Sequence, residues 1–239
     1  MRVSFVVPCY QEEAALERFS GLLTGLEADE IVFVDDGSTD GTARRLAEVL
    51  GRDGRARVVT HARNRGVGAA MRTGFAAATG DVVVVYDADR TYPAGDAARL
   101  VAEVERGADI ATASPFAPGG AVGRVPFGRR VLSRGAALAY RLVLGRRARG
   151  LSTFTCAFRA YRRSLLEGLV FHSDGFAAAA EILGRALLRG ARVVEVPSRL
   201  TARTEGASKM RVLSALRGHL TALVRLLVAR LFGRGARAG

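Results

Sequence analysis

Five apolar segments recur in the first 114 residues: VSFVVP (3–8), EIVFVDD (30–36), ARVVTH (56–61), DVVVVYD (81–87) and ADIATAS (108–114). A strand with one wet face shows polar residues at every second position. These segments do not, so the pattern predicts strands buried on both faces. The stretches between them (12–26, 40–50, 66–80 and 95–107) carry helical spacing and are long enough for crossovers between parallel strands. The fold class expected is α/β, a mainly parallel sheet covered by helices on both sides. Asp40 or Thr39 is placed to cap the second helix and Gly80 to close the third. In such sheets ligands bind beyond the carboxyl ends of the strands, where Asp35, Asp36, Asp87 and Asp89 all fall.

The pattern loosens after residue 114. PFAPGGAVGRVPFG (115–128) is a Gly/Pro-rich loop, long enough to imply function or mobility. A basic helix is expected over 128–145, a strand over 154–163, a helix over 174–190 and a strand over 191–197. From about residue 209 the chain is again helical, with Leu213, Leu216, Leu220, Leu223, Leu227 and Leu231 at 3–4 spacing on one face. Arg211, Arg217, Arg225 and Arg230 flank them, a pattern that suits either attachment to an anionic membrane surface or packing on the body or in a dimer.

Composition bounds the function without naming it. The 239 residues are 49% hydrophobic and 25% charged, enough for a folded core. The net charge of +13 favours anionic partners. Lys209 is the only lysine among 36 basic side chains, so much of that charge reflects a general arginine bias. No nucleic-acid motif accompanies it. Cys9 and Cys156 make neither a disulfide framework nor a metal cluster, which fits a reducing compartment. The N-terminus enters a strand at once, so no signal peptide is expected. No run reaches the ~20 apolar residues of a membrane span; HLTALVRLLVARLF is broken by Arg225 and Arg230.

The chemistry-bearing motifs sit at strand ends. In DAD (87–89) two carboxylates stand two residues apart, so on extended chain both point the same way. An oxygen-only site of this kind suits Mg2+ or Mn2+ shared with substrate phosphates. In VDDGSTDGT (34–42) Asp35 and Asp36 can bind a ribose or a base edge by hydrogen bonds. In VVPCYQEE (6–13) Tyr10 can flank a base and Glu12 can accept a hydrogen bond from it. ARNRGVGAAMRTG (62–74) opens a helix with glycines and with Arg63, Arg65 and Arg72, a setting that attracts phosphate.

VVPCYQEE, VDDGSTDGT, NRGVGAA, GDVVVVYDAD, FTCAFRAYRR and EVP…R-x-x-G-x-SK, in that order, resemble family-2 glycosyltransferases of the GT-A fold. Order and spacing are similar to the polyprenyl-phosphate (dolichyl-phosphate mannose synthase-like) branch over about residues 2–212. The resemblance implies a nucleotide-sugar donor, a divalent metal at DAD and inversion at the anomeric carbon. It gives Pro8, Tyr10 and Glu12 to the nucleotide and Asp36 to base or ribose. Asp87 and Asp89, with Thr91 assisting, go to the metal and diphosphate. Arg129, Ser133 and Ser208 go to the acceptor phosphate, and Arg203 and Lys209 to phosphate stabilisation in catalysis. The domain expected is 1–208, with a nucleotide-binding half at 1–114 and an acceptor-side half at 115–208. A basic amphipathic helix and tail follow at 209–239.

The chain departs from the family pattern at Gln11 (usually Asn), at DADRTYP, where Arg90 replaces an apolar residue, and at Pro115, which stands where an acceptor-contacting arginine is usual. Arg90 or Arg124 can compensate. The expected reaction is hexose transfer from a nucleotide sugar (GDP-mannose or UDP-glucose type) to polyprenyl phosphate, by a cytoplasmic protein peripheral to the inner membrane face. Two alternatives stand beside it. One is a soluble transferase acting on a hydroxyl, which needs a base such as Asp174 or Glu181. The other is a non-catalytic nucleotide- or nucleic-acid-binding protein. The histidines His61, His172 and His219 are read as structural or solvated.

Overall fold

The structure is a computed structural model that describes residues 1–16, 27–51, 53–88, 91–123, 125, 127–201 and 212–232. The sheet at its centre has seven strands in the order β3-β2-β1-β4-β7-β5-β8. These are β1 (Val3–Cys9), β2 (Glu30–Asp35), β3 (Ala56–Thr60), β4 (Val82–Val85), β5 (Ile110–Ser114), β7 (Arg159–Arg162) and β8 (Val193–Pro197). All pair in parallel except β7, which runs antiparallel to both neighbours. Every residue of β4 and β5 is buried, as an apolar run covered on both faces requires. Each fully buried valine of β4 contributes about 1.5 kcal/mol or more over an exposed one.

The helices are α1 (Thr42–Leu50), α2 (Val67–Ala77), α3 (Asp96–Glu105), α4 (Phe127–Leu144), α5 (Arg163–Glu167), α6 (Ala178–Leu188) and α7 (Val212–Phe232). Residues 13–16 also form a helical turn, and the rest of the helix expected over 12–26 lies outside the described residues. One core gathers Phe5, Phe33, Leu46, Leu100 and Phe158 on one face of the sheet. The other gathers Val6, Val34, Met71, Tyr140, Ile182 and Leu226 on the opposite face. The long loop after β5 is partly ordered by β6 (Ala121–Val122), which pairs in parallel with β9 (Arg199–Leu200).

Two capping expectations are corrected. Gly41, not Thr39 or Asp40, is the N-cap of α1; Asp40 still accepts from the Thr42 N–H at 3.0 Å. α2 ends at Ala77, before Gly80. Gly80 instead donates to the Ser4 hydroxyl at 2.8 Å, and a side chain there would strike the β1 backbone. The strand expected over 154–163 is shorter, running only over Arg159–Arg162; ahead of it the Phe154 carbonyl turns to the Arg159 side chain. That guanidinium is fully buried and donates to Thr112 Oγ1 (3.0 Å), Phe154 O (2.7 Å) and Ala179 O. It thereby ties β5, the approach to β7 and the start of α6.

α7 lies on α4 and α6. Ala222 and Leu226 are fully buried, and Leu226 packs where a side chain at Gly184 would collide with it. Tyr140 and His219 share a hydrogen bond of 2.9 Å between α4 and α7; burial pushes the His219 ring toward its neutral form. The leucine stripe faces outward except at Leu223, which is half-buried against the core. Leu213, Leu216, Leu220, Leu227 and Leu231 are all exposed, joined by Val224, Val228 and Phe232. Among the described residues no helix is long and apolar enough to cross a membrane.

Candidate active site

A cleft of about 530 Å³ opens beyond the carboxyl ends of β1, β2 and β4. Five residues expected at the nucleotide, Pro8, Tyr10, Glu12, Asp36 and Asp87, line it together. They are far apart in sequence; the parallel register of β1 with β2 and β4 brings them to one edge.

The loops on that edge are cross-tied. Gln11 takes a positive φ of 54°, where Asn is tolerated more easily than Gln. Its side chain offsets that cost. Oε1 accepts from the N–H groups of Thr39 (2.9 Å) and Asp40 (3.1 Å), and Nε2 donates to Thr39 Oγ1 at 3.0 Å. The end of β1 is thus fastened to the loop after β2.

Asp36 has both oxygens engaged within the chain. Oδ1 accepts from His61 Nδ1 at 2.6 Å and from the Arg65 N–H at 2.9 Å; Oδ2 accepts from the Gly66 N–H at 2.7 Å. On the other side of the ring, His61 Nε2 lies 2.9 Å from the Thr73 hydroxyl. Asp36 shapes the loop beside the cleft as well as lining it.

The glycine-rich helix start differs from the phosphate cradle its sequence pattern implies. Side chains at Gly66 and Gly68 would collide with the carbonyls of Asp174 and Ser173. The Gly68 and Ala69 N–H groups donate to Asp174 O at 2.6 and 3.3 Å. These glycines let the chain approach itself, and two donors of the α2 N-terminus are spent there. Arg72 turns away too: it donates to Phe171 O at 3.1 Å, pairs with Asp174 and lies 4.8 Å from the Phe171 ring centroid.

The two carboxylates considered as a base differ. Asp174 lines the cleft, is largely exposed and pairs through Oδ1 with Arg72. Glu181 is fully buried; its Oε2 accepts from Ser173 N (2.8 Å), Ser173 Oγ (2.6 Å) and His172 N (3.2 Å), and its Oε1 from Arg185 Nε (2.7 Å). Burial alone would raise its pKa, but the bonds from Ser173 and Arg185 outweigh it and hold the carboxyl below its ordinary range. Burial pushes the Cys156 thiol up to about 11, which makes it unreactive near neutrality.

Of the remaining expected residues, Thr91 is half-buried, and its carbonyl accepts from Thr201 N at 2.9 Å. Ser133 does not line the cleft; its hydroxyl lies 3.3 Å from Thr155 Oγ1. Asp89, Arg203, Ser208 and Lys209 lie outside the described residues, as do Arg90, Arg124 and the Arg129 side chain.

Among the described residues no three His, Cys, Asp or Glu side chains converge as metal ligands. Mg2+ and Mn2+ sites built on one or two carboxylates plus substrate phosphates need no such cage, and Asp87 in the cleft wall fits that pattern.

Several cleft residues were not foreseen. His61 supports Asp36 from behind. The opposite wall comes from residues 172–177 and from α7, through Ser214, Ala215, Gly218, Thr221 and Arg225. A signal existed: Ser214, Gly218, Thr221 and Arg225 form a small polar stripe at 4-3-4 spacing, distinct from the leucines.

The family model Glycosyl transferase family 2 matches residues 4–170. The chain is 35% identical to the dolichol-phosphate mannosyltransferase of Pyrococcus furiosus over 88% of its length, and spans 60% of that relative's length. It is 36% identical to the polyprenol monophosphomannose synthase of Mycolicibacterium smegmatis, covering 87% of this chain and 81% of that one. It is also 31% identical to the undecaprenyl-phosphate mannosyltransferase of Micrococcus luteus, with 88% of each covered. Among solved structures, glucosyl-3-phosphoglycerate synthase from Mycobacterium tuberculosis, in complex with Mn2+, UDP and glucosyl-3-phosphoglycerate, superposes with a TM-score of 0.68. It is 24% identical and covers 96% of this chain and 79% of that one. That likeness establishes the fold as GT-A. With strand-end motifs, sheet order and family match in agreement, the chain belongs to glycosyl transferase family 2 and is a glycosyltransferase.

Proposed function

We propose that this chain transfers a hexose from a nucleotide sugar to polyprenyl phosphate at the cytoplasmic face of a membrane. The observation that carries the reading is the two-sidedness of α7. One side lines the cleft through Ser214, Gly218, Thr221 and Arg225. The other exposes Leu213, Leu216, Leu220, Val224 and Leu227, alongside Val131, Leu138 and Leu142 of α4. A lipid surface against that face would bring a lipid-borne phosphate to the cleft without a membrane span. The names of the mannosyltransferase relatives agree with such an acceptor.

In this reading the catalytic body is 1–208, and α7 in the segment 209–239 both walls the cleft and docks. Pro8, Tyr10, Glu12 and Asp36 hold the nucleotide. Asp87 and Asp89, with Thr91, would hold Mg2+ or Mn2+, which supplies neutralisation of the departing diphosphate. Arg203 and Lys209 add positive charge to the same group. Arg129 and Ser208 position the acceptor phosphate, and Ser133 would do so only from outside the cleft lining. That phosphate is already anionic, so it needs no general base. The buried, bonded state of Glu181 favours it over a hydroxyl acceptor that would use this carboxylate as base.

The test is a donor panel of GDP-mannose, UDP-glucose and UDP-GlcNAc with polyprenyl phosphate and Mg2+ or Mn2+, followed by product mass. A lipid-phosphate hexose is expected from one donor. Transfer to hydroxyl acceptors alone overturns the reading.

A further inference from the structure

Arg225 is the basic side chain that α7 contributes to the cleft wall. Its side chain is 39% exposed, and among the described residues the nearest carboxylate oxygen, Glu181 Oε2, is 3.8 Å away, beyond hydrogen-bond distance. That oxygen already receives Ser173 N, Ser173 Oγ and His172 N, and the other binds Arg185. One carboxylate therefore faces two guanidinium groups, and Arg185 holds the direct bond. The charge of Arg225 is left over on the cleft side. Thr221, one turn earlier on α7, lines the cleft with it, as do Ser173 and His172, whose N–H groups bind the same Glu181 oxygen. Of the negative side chains lining the same cleft, Glu12, Asp36 and Asp87 come from the strand ends, and Asp174, on the 172–177 wall, is paired with Arg72. A planar guanidinium that lines the cleft and stands beyond hydrogen-bond distance of Glu181 is suited to phosphate.

We propose that Arg225 binds a substrate phosphate from the α7 wall of the cleft. The proposal deepens the transferase reading and rests on it. The phosphate is either part of the donor's diphosphate or the acceptor's own, and two arms of one experiment separate them.

Arg225→Gln and Arg225→Lys are made in the full chain. The first arm measures binding of UDP and GDP with Mn2+, with uridine and guanosine as uncharged controls. The second measures KM for polyprenyl phosphate at saturating donor. A loss of about tenfold or more is expected for Gln in one arm, partly restored by Lys, with nucleoside binding unchanged. Diphosphate binding and acceptor KM both within about twofold of the parent overturn the proposal. So does an equal loss for nucleoside and diphosphate, which marks a packing role. If the parent enzyme fails to use polyprenyl phosphate, the acceptor reading falls and the nucleotide arm alone decides the role of Arg225.

Discussion

The strand-end wall of the cleft holds its side chains by backbone register, whereas the helix wall holds them by packing. Pro8, Asp36 and Asp87 stand where they do because β1, β2 and β4 pair residue by residue and then stop. Ser214, Gly218, Thr221 and Arg225 stand where they do because Ala222 and Leu226 seat α7 on the body. The first wall tolerates little movement and suits groups that must meet reacting atoms. The second can shift with a helix that also faces outward, and it lies beyond the span of the family match.

That contrast predicts separable damage. Asp87→Ala should lower turnover by at least ~10²-fold, the scale of losing one preorganised electrostatic group, while thermal unfolding stays close to the parent. A matching fall in melting temperature would mean the strand wall is not independently rigid. Leu226→Ala should cost about 2–5 kcal/mol in urea unfolding, as a large-to-small core change, and should weaken substrate binding through the helix wall. If stability falls but binding does not, α7 is no part of the site.

Asp36→Asn should cost about 1–3 kcal/mol by leaving loop donors poorly paired, and amide exchange at Arg65 and Gly66 should quicken. Glu181 gives a pH signature. Its folded pKa lies below its unfolded value, so its contribution is complete above about pH 5. The contribution is lost as pH falls from there through the depressed folded pKa. Glu181→Gln should flatten this acid limb of stability. An unchanged limb would assign it to other carboxylates. The smallest effect on folding belongs to the outer face: Leu220→Gln with Val224→Gln should change stability by no more than ~0.5 kcal/mol yet reduce co-sedimentation with anionic vesicles. Undiminished sedimentation would remove the outer face from membrane attachment.

The strand wall was legible because its signals are local. An apolar run followed by a carboxylate states both burial and exit, and Asp87 and Asp36 sit where those runs predict. The α/β class and nearly every element followed from the same periodicity. Less legible were groups whose role depends on distant partners. NRGVGAA reads as a phosphate cradle, yet Gly66 and Gly68 meet residues 173–174, a contact no local pattern announces. His61 looks incidental until Asp36 is found against it. Arg225 reads as one of the arginines flanking a leucine face. Only the burial of Ala222 and Leu226 fixes the helix rotation that turns it into the cleft.

The reversed direction of β7 bears on how relatives of this chain can be recombined. After each parallel strand, the segment leaving the sheet at its carboxyl end is the one that meets substrate. For β7 the order inverts: Val85 pairs with Arg159 and Val82 with Arg162. Residues 151–158, which enter the strand, lie at the substrate edge, and Arg163–Glu167, which leaves it, lies at the far one. A specificity graft must therefore be cut after β1, β2 and β4 but ahead of β7, and a tag or insertion is better placed at the α5 end.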